Sequence, residues 1–440
     1  MNKPILKKAD DLAQLYINLN NVGALYREGE GGDFYIPLYD RKLKELKTAL
    51  SIDPYAPDCF YIYGQPGSGK STALNYFADA ALQADYEIIL IKGRELFDLQ
   101  DVDIIDVLLM FALDLLALLK DKSLFQTALD KIYRQYIEHE ELIWESEKKS
   151  VFKGTAEIRL GVTLGSLLKL FGMDAPTSLK SEYHLEKNKR ELCRKFFSVG
   201  KSDFLGLVNR MISRYAEENK GRRILAVFDD LEKIVSPAQV QALFIENRNY
   251  LTELQCKKIL ITPVSLALDV RFLHDVKECF LGLKIKEHTA EGNLSATLGE
   301  DCGLLYEIAY KRVARRELYE SGVIEKAIWY SGGNIRQFIR LLAEACLHSY
   351  MYEGCSISPD DMDTAISKLK KNMQPALMNN RRLLLLLKAV GERRSGTADD
   401  SDMLATALSS LFVFIYQNGN WWSSVNPLLE HSVQLYLDEA

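Results

Sequence analysis

Residues 59 to 72, CFYIYGQPGSGKST, are the stretch from which the rest of the chain is read. A short apolar run of strand length enters a glycine-rich turn, and the residues from Ser71 to Ala81 have helical periodicity. Gly64 to Ser71 matches G-x-x-x-x-G-K-[ST] in full, and it lies after a strand and before a helix, where that motif works. Glycines there let backbone N–H groups wrap a β-phosphate without interference from Cβ atoms. Lys70 supplies a cation to the β and γ phosphates, and Ser71 offers a hydroxyl to Mg²⁺. Thr72 opens the helix whose positive N-terminal end faces the anion. The expected nucleotide-binding set is Gly64, Gln65, Pro66, Gly67, Ser68, Gly69, Lys70, Ser71 and Thr72, with ATP and magnesium as cofactors.

Working outward, Tyr86 to Ile91, Arg223 to Phe228 and Lys258 to Ile261 are further short apolar runs, as strands buried on both faces of a parallel sheet should be. The strand, loop, helix, strand order predicts an α/β fold: a parallel sheet flanked by helices. The run from Arg223 continues into carboxylates, AVFDDLEK, where one acid can hold a hydrated metal and another can orient water. Asp229 is the metal-side candidate, alongside Ser71. Asp230 stands at the usual place of the water-activating acid, with Glu232 as the substitute, although acids also suit a helix N-terminus for its dipole alone. In KILITPV, Thr262 lies at the C-terminal edge of its strand, facing the ligand crevice, and is a candidate γ-phosphate sensor; a threonine before Pro263 is also a routine strand end. In SGGNIRQFIRLL, Gly332 and Gly333 break one helix and Arg336 lies in the first turn of the next, placed to return a cation to the phosphates. Arg340 shares nearly the same face, and both arginines also suit a solvated or salt-bridged role. Arg271 and Arg248 are candidates for reaching a neighbouring subunit's nucleotide.

The 440 residues imply several domains, read as an N-terminal segment 1–33, a nucleotide-binding domain 34–299, a helical lid 300–373 and a tail 374–440. A mainly helical insertion is expected at about 93–220, with one strand-like piece, TAEIRLGVT, at 155–163. SerProAspAsp, 358–361, is an N-cap signal for a lid helix. In the tail, helices precede LFVFIYQNGNWWSSV, where Asn418 and Gly419 separate two strand-like runs, a hairpin signal that suggests a winged-helix-like module. Trp421 and Trp422 are expected to pack against the helices rather than stack on bases.

Composition narrows the function classes. The net charge of -6 lacks the basic field that non-specific nucleic-acid binding needs. Seven scattered cysteines without a CxxC pair and six isolated histidines indicate neither a disulfide framework nor a zinc site. The N-terminus shows no secretory signal, and the run from Val107 to Leu119 is too short for a membrane span and contains Asp114. A cytoplasmic chain with no membrane partner is the expectation.

The order GQPGSGKST, FDDLEK, ITP and SGGNIRQFIRLL resembles AAA+ ATPases, in the branch near STAND proteins and the archaeal and eukaryotic origin-recognition initiators, over roughly Tyr35 to Lys371. That resemblance implies Thr262 as sensor 1, Arg336 as sensor 2 and a winged helix after the lid. The insertion and Asp230 in place of the common Glu depart from the initiators. The insertion and the tail's NGNWW then NPLL look more like bacterial STAND-type ATPases, which include antiphage-defence proteins. The resemblance implies a slow ATPase that acts as a homo-oligomeric switch on a partner effector protein such as a nuclease. The alternative is a DNA-binding initiator-like loader or transposition regulator, for which Arg381, Arg382, Arg393 and Arg394 are the basic residues to test. A third class is a scaffold that binds ATP without hydrolysing it.

Overall fold

A computed structural model describes residues 6–20, 25, 32–77, 80–123, 125, 127, 131–132, 134–135, 187–234, 236–269, 271–272, 277–285, 299–378, 380–393, 401–418 and 420–433. The strand-like piece expected at 155–163 lies outside them.

Five strands form one sheet: β1 (Cys59–Tyr63), β2 (Tyr86–Lys92), β3 (Arg223–Asp229), β4 (Lys257–Ile261) and β5 (Lys277–Phe280). Their spatial order is β2-β3-β4-β1-β5, and every pairing is parallel. This is the α/β, parallel-sheet architecture expected from the sequence. Period-2 alternation divides the strand side chains between two cores. Tyr61, Tyr63, Ile89, Ile91, Ala226, Phe228 and Leu260 face one. Phe60, Ile62, Leu225, Val227, Ile259 and Ile261 face the other.

The first core is closed by the helices Ile104–Leu118 and Lys201–Glu218. These stand at the two ends of the span expected as an insertion, and both pack on the sheet as part of the β2-to-β3 crossover. In the first of them 12 residues are buried, so it is a layer of the core rather than a surface appendage. No helix among the described residues is long and apolar enough to cross a membrane.

The second core is closed by the N-terminal helix Leu12–Asn20, the helix Asp40–Ile52 and the lid helices Cys302–Tyr310, Val323–Ser331, Ile335–Met351 and Pro359–Met378. Ser358 and Asp361 cap the last reciprocally: the Asp361 carboxylate accepts from the Ser358 N–H at 2.8 Å, and the Ser358 hydroxyl accepts from the Asp361 N–H at 3.2 Å.

The tail consists of helices Arg381–Arg393 and Ser401–Ser409 followed by β6 (Val413–Asn418) and β7 (Asn420–Val425), an antiparallel hairpin. Trp422 stacks on Tyr416 with centroids 4.3 Å apart, and Trp421 meets Phe280 edge-on at 5.0 Å, so both indoles pack against protein.

Candidate nucleotide-binding site

Because all five strands are parallel, the ends of β1, β2, β3 and β4 lie on one edge of the sheet, the edge where ligands bind in open α/β sheets. The loop after β1 runs into the helix Lys70–Phe77. Gly67 and Gly69 adopt φ of +87° and +93°, a left-handed conformation that turns successive N–H groups inward. Lys70 is buried, and its ammonium donates to Gly64 O at 2.8 Å and Gln65 O at 2.9 Å. Glu232 Oε1 is 3.7 Å from it.

β3 ends on Asp229, whose Oδ1 accepts from Ser71 Oγ at 3.2 Å and from the Asp230 N–H at 2.8 Å. The chain then turns through Asp230 at φ +68°, a left-handed position that aspartate tolerates better than most side chains. That turn sends the Asp230 carboxylate to the Arg94 N–H, at 3.3 Å, and to the Lys233 ammonium. Glu232 is buried with Oε2 unpartnered. Oxygen atoms of Asp229, Asp230 and Glu232 lie within 4.8 Å of one another. An all-oxygen donor set with the Ser71 hydroxyl alongside fits a hard divalent cation such as magnesium. Burial raises the pKa of Asp229 and Glu232, against the pull of Lys70 on both, and burial lowers that of Lys70. Lys233 falls to about 8, through burial first and Arg94 second.

The lid reaches the loop from the other side. Asn334 caps the helix Ile335–Met351, accepting from the Gln337 N–H at 3.0 Å, while its amide donates to Pro66 O at 2.8 Å. The Arg336 N–H donates to Gly67 O at 3.1 Å, and a Cβ on Gly67 would sit 2.6 Å from Arg336 Cβ. Arg336 is exposed within the cavity mouth.

Between loop and lid lies a cavity of about 290 Å³. It is lined by Gly67, Gly69, Lys70, Ser71, Thr72, Asp229, Asp230, Glu232 and Arg336 of the expected residues. Gly64, Gln65, Pro66 and Ser68 support the loop without lining it. The Gln65 side chain turns away and donates to Val413 O of the tail at 2.8 Å. Thr262 is fully buried, with its hydroxyl unpartnered, and lies outside the cavity wall. Arg340, Arg248 and Arg271 also lie outside it; Arg271 pairs with Asp269 at 2.7 Å, and Arg248 lies over the Phe272 ring.

Sequence reasoning missed the rest of the wall. Phe34, Tyr35, Ile36, Leu38 and Tyr39 come from the segment before β1, and Ile308, Arg312, Ile335 and Ile339 come from the lid. Tyr39 OH donates to Ser68 O at 2.6 Å, and the Leu25 N–H donates to Thr72 Oγ1 at 3.2 Å, which ties that segment across the loop helix. The aromatic density of DFYIPLY at 33–39 was the available signal. Lys92, Arg94 and Lys233 add cations beside the acids. Their convergence depends on the β2–β3 register, which pairs Lys92 with Asp229.

Comparison with protein families and with curated proteins finds no match. Among solved structures, the chain is similar to Drosophila ORC bound to DNA, at 12% identity and TM-score 0.40, covering 99% of this chain and 95% of that one. It is similar to the Aeropyrum pernix ORC2 protein in ADPNP–ADP complexes, at 12% identity and TM-score 0.44, covering 99% and 98%. It is also similar to Cdc6p from Pyrobaculum aerophilum, at 12% identity and TM-score 0.38, covering 93% and 98%. Likeness this remote carries nothing about chemistry.

Proposed function

We propose that the chain is an ATP-binding and ATP-hydrolysing switch of the AAA+ and STAND kind. In this reading nucleotide state sets the lid, the lid sets association between copies, and the assembly controls a partner effector protein, as in the antiphage-defence ATPases that its motifs resemble. The observation that supports it best is that loop and lid share contacts: Asn334 and Arg336 bond Pro66 O and Gly67 O, so a phosphate entering the loop meets the first turn of the lid helix. The tail is joined to the same place. Tyr416 OH donates to Gly332 O at 2.9 Å, and Gln337 and Asn426 exchange hydrogen bonds of 3.1 and 3.2 Å.

The roles follow from position. Backbone N–H groups at Gly67 and Gly69 and the ammonium of Lys70 hold the phosphates, while Arg336 supplies positive charge from the lid. Ser71 and Asp229 would hold magnesium, which draws negative charge from the phosphate oxygens. Glu232, buried and with one oxygen free, orients the attacking water for in-line displacement. Asp230 holds the turn through its bonds to Arg94 and Lys233.

Native mass spectrometry of the full chain, with and without ATP and magnesium, tests the switch. Wild type should form a discrete oligomer with ATP, Glu232→Gln should trap it, and Lys70→Ala should form none. An unchanged monomer in all samples would sink the switch. An oligomer that forms only when duplex DNA is added would replace it with the initiator-like loader.

A further inference from the structure

One cation of the cavity lining stands among apolar and aromatic residues. Arg312 lines the cavity near Phe34 and Ile308 and keeps only 4% of its surface exposed. One terminal nitrogen, Nη1, donates to Ile308 O at 2.7 Å, the guanidinium lies over the Phe34 ring at 5.3 Å, and Nε has no partner. Among the described residues no carboxylate pairs with it. Burial lowers its pKa to about 10, opposed by Tyr319. A buried guanidinium with an unused donor and no acid nearby is costly unless something completes it.

Its backbone is also held in place. Arg312 O accepts from the Ala9 N–H at 3.0 Å and from Asn18 Nδ2 at 2.9 Å, and Asn18, itself buried, also donates to Lys7 O. Lys311 ammonium donates to Tyr35 O at 2.7 Å. The N-terminal helix thus fixes the arginine against the wall that the segment before β1 supplies.

We propose that Arg312 reads the base of the nucleotide, donating to an acceptor nitrogen of a purine ring held between the apolar walls. This rests on the nucleotide-site reading above and adds to it the part of the ligand that decides selectivity. Arginine has donors only, so a ring nitrogen that carries a lone pair satisfies it and a C–H at the same position does not. The phosphates remain the business of the loop, which predicts separable contributions from the two ends.

The test is the affinity of the full chain, with magnesium, for ATP and for its 1-deaza, 3-deaza and 7-deaza analogues, each of which replaces one acceptor nitrogen by C–H. One analogue should bind about ten- to a hundredfold more weakly than ATP, the range for a hydrogen bond with one charged partner. Arg312→Met should lose the same factor for ATP and no longer distinguish that analogue, while inorganic tripolyphosphate binds both proteins equally. If wild type binds ATP and all three analogues within twofold, the proposal is overturned, and that result needs no variant to fold. Equal ATP affinity in wild type and Lys70→Ala would instead overturn the nucleotide site itself, and this proposal with it. Lys70-dependent ATP binding with a flat analogue series removes only the role of Arg312.

Discussion

Replacing Glu232 by Gln and, separately, Asp230 by Asn separates two acids that stand two residues apart. At 3.7 Å the attraction between Lys70 and Glu232 is about 4 kcal/mol at an effective dielectric of ~20. Desolvating two buried charges offsets most of it. Glu232→Gln nevertheless leaves the buried Lys70 ammonium without its nearest carboxylate, so a loss of roughly 3–5 kcal/mol in stability is expected. Turnover should fall as well, and is measured on the folded fraction. An oriented general base contributes roughly a hundred- to ten-thousandfold, and among the described residues no other carboxylate oxygen of the acidic group is buried and unpartnered. Asp230→Asn keeps the shape of a side chain already engaged by the Arg94 N–H and Lys233, so its loss should stay under about tenfold. Single-turnover hydrolysis at saturating ATP, with Kd measured in parallel, gives both numbers. Loss of turnover in Asp230→Asn with activity kept in Glu232→Gln would refute the assignment and with it the reading of the left-handed turn.

Four further perturbations follow from the structure. Gly332→Ala places a methyl 2.1 Å from the Phe414 ring at φ +59°, and should cost roughly 2–4 kcal/mol in thermal or denaturant unfolding. Gly221→Ala, at φ +82° but in open space, should cost only about 1 kcal/mol. Asn334→Ala removes both the helix cap and the bond to Pro66 O; amides at the start of the lid helix should exchange faster, and ATP affinity should fall with them. Burial pushes the Asp361 pKa up, but bonds from His348 and Ser358 outweigh it and the net shift is downward. A depressed folded pKa contributes stability above the unfolded value of about 4 and loses it as pH falls through the folded pKa, so wild type and Asp361→Asn should differ at neutral pH and converge in acid, once Asp361 is protonated in both states.

What the sequence made legible is what neighbours in the chain do to each other. The phosphate loop needs left-handed glycines, a lysine and a hydroxyl within eight positions, and Gly67, Gly69, Lys70 and Ser71 all reach the cavity. Asp229 was legible because a buried strand ending in an acid has few other reasons to do so, and the cap at Ser358 because its two partners are three residues apart. The apolar wall of the cavity was not legible, since Phe34 and Ile308 are apolar residues among many, and only the fold brings them to one cavity. Nor was the use of Gln65, which reads as part of the loop and in fact holds Val413, 348 positions away. One segment within the expected insertion carried a usable signal. The run IIDVLLMFALDLLAL at 104–118 has no polar face, and a helix apolar all round must be covered on every side. The sheet on one side and the helix Lys201–Glu218 on the other cover it. The breadth of that apolar face, more than its period, is what makes a buried helix the reading of this run from sequence alone.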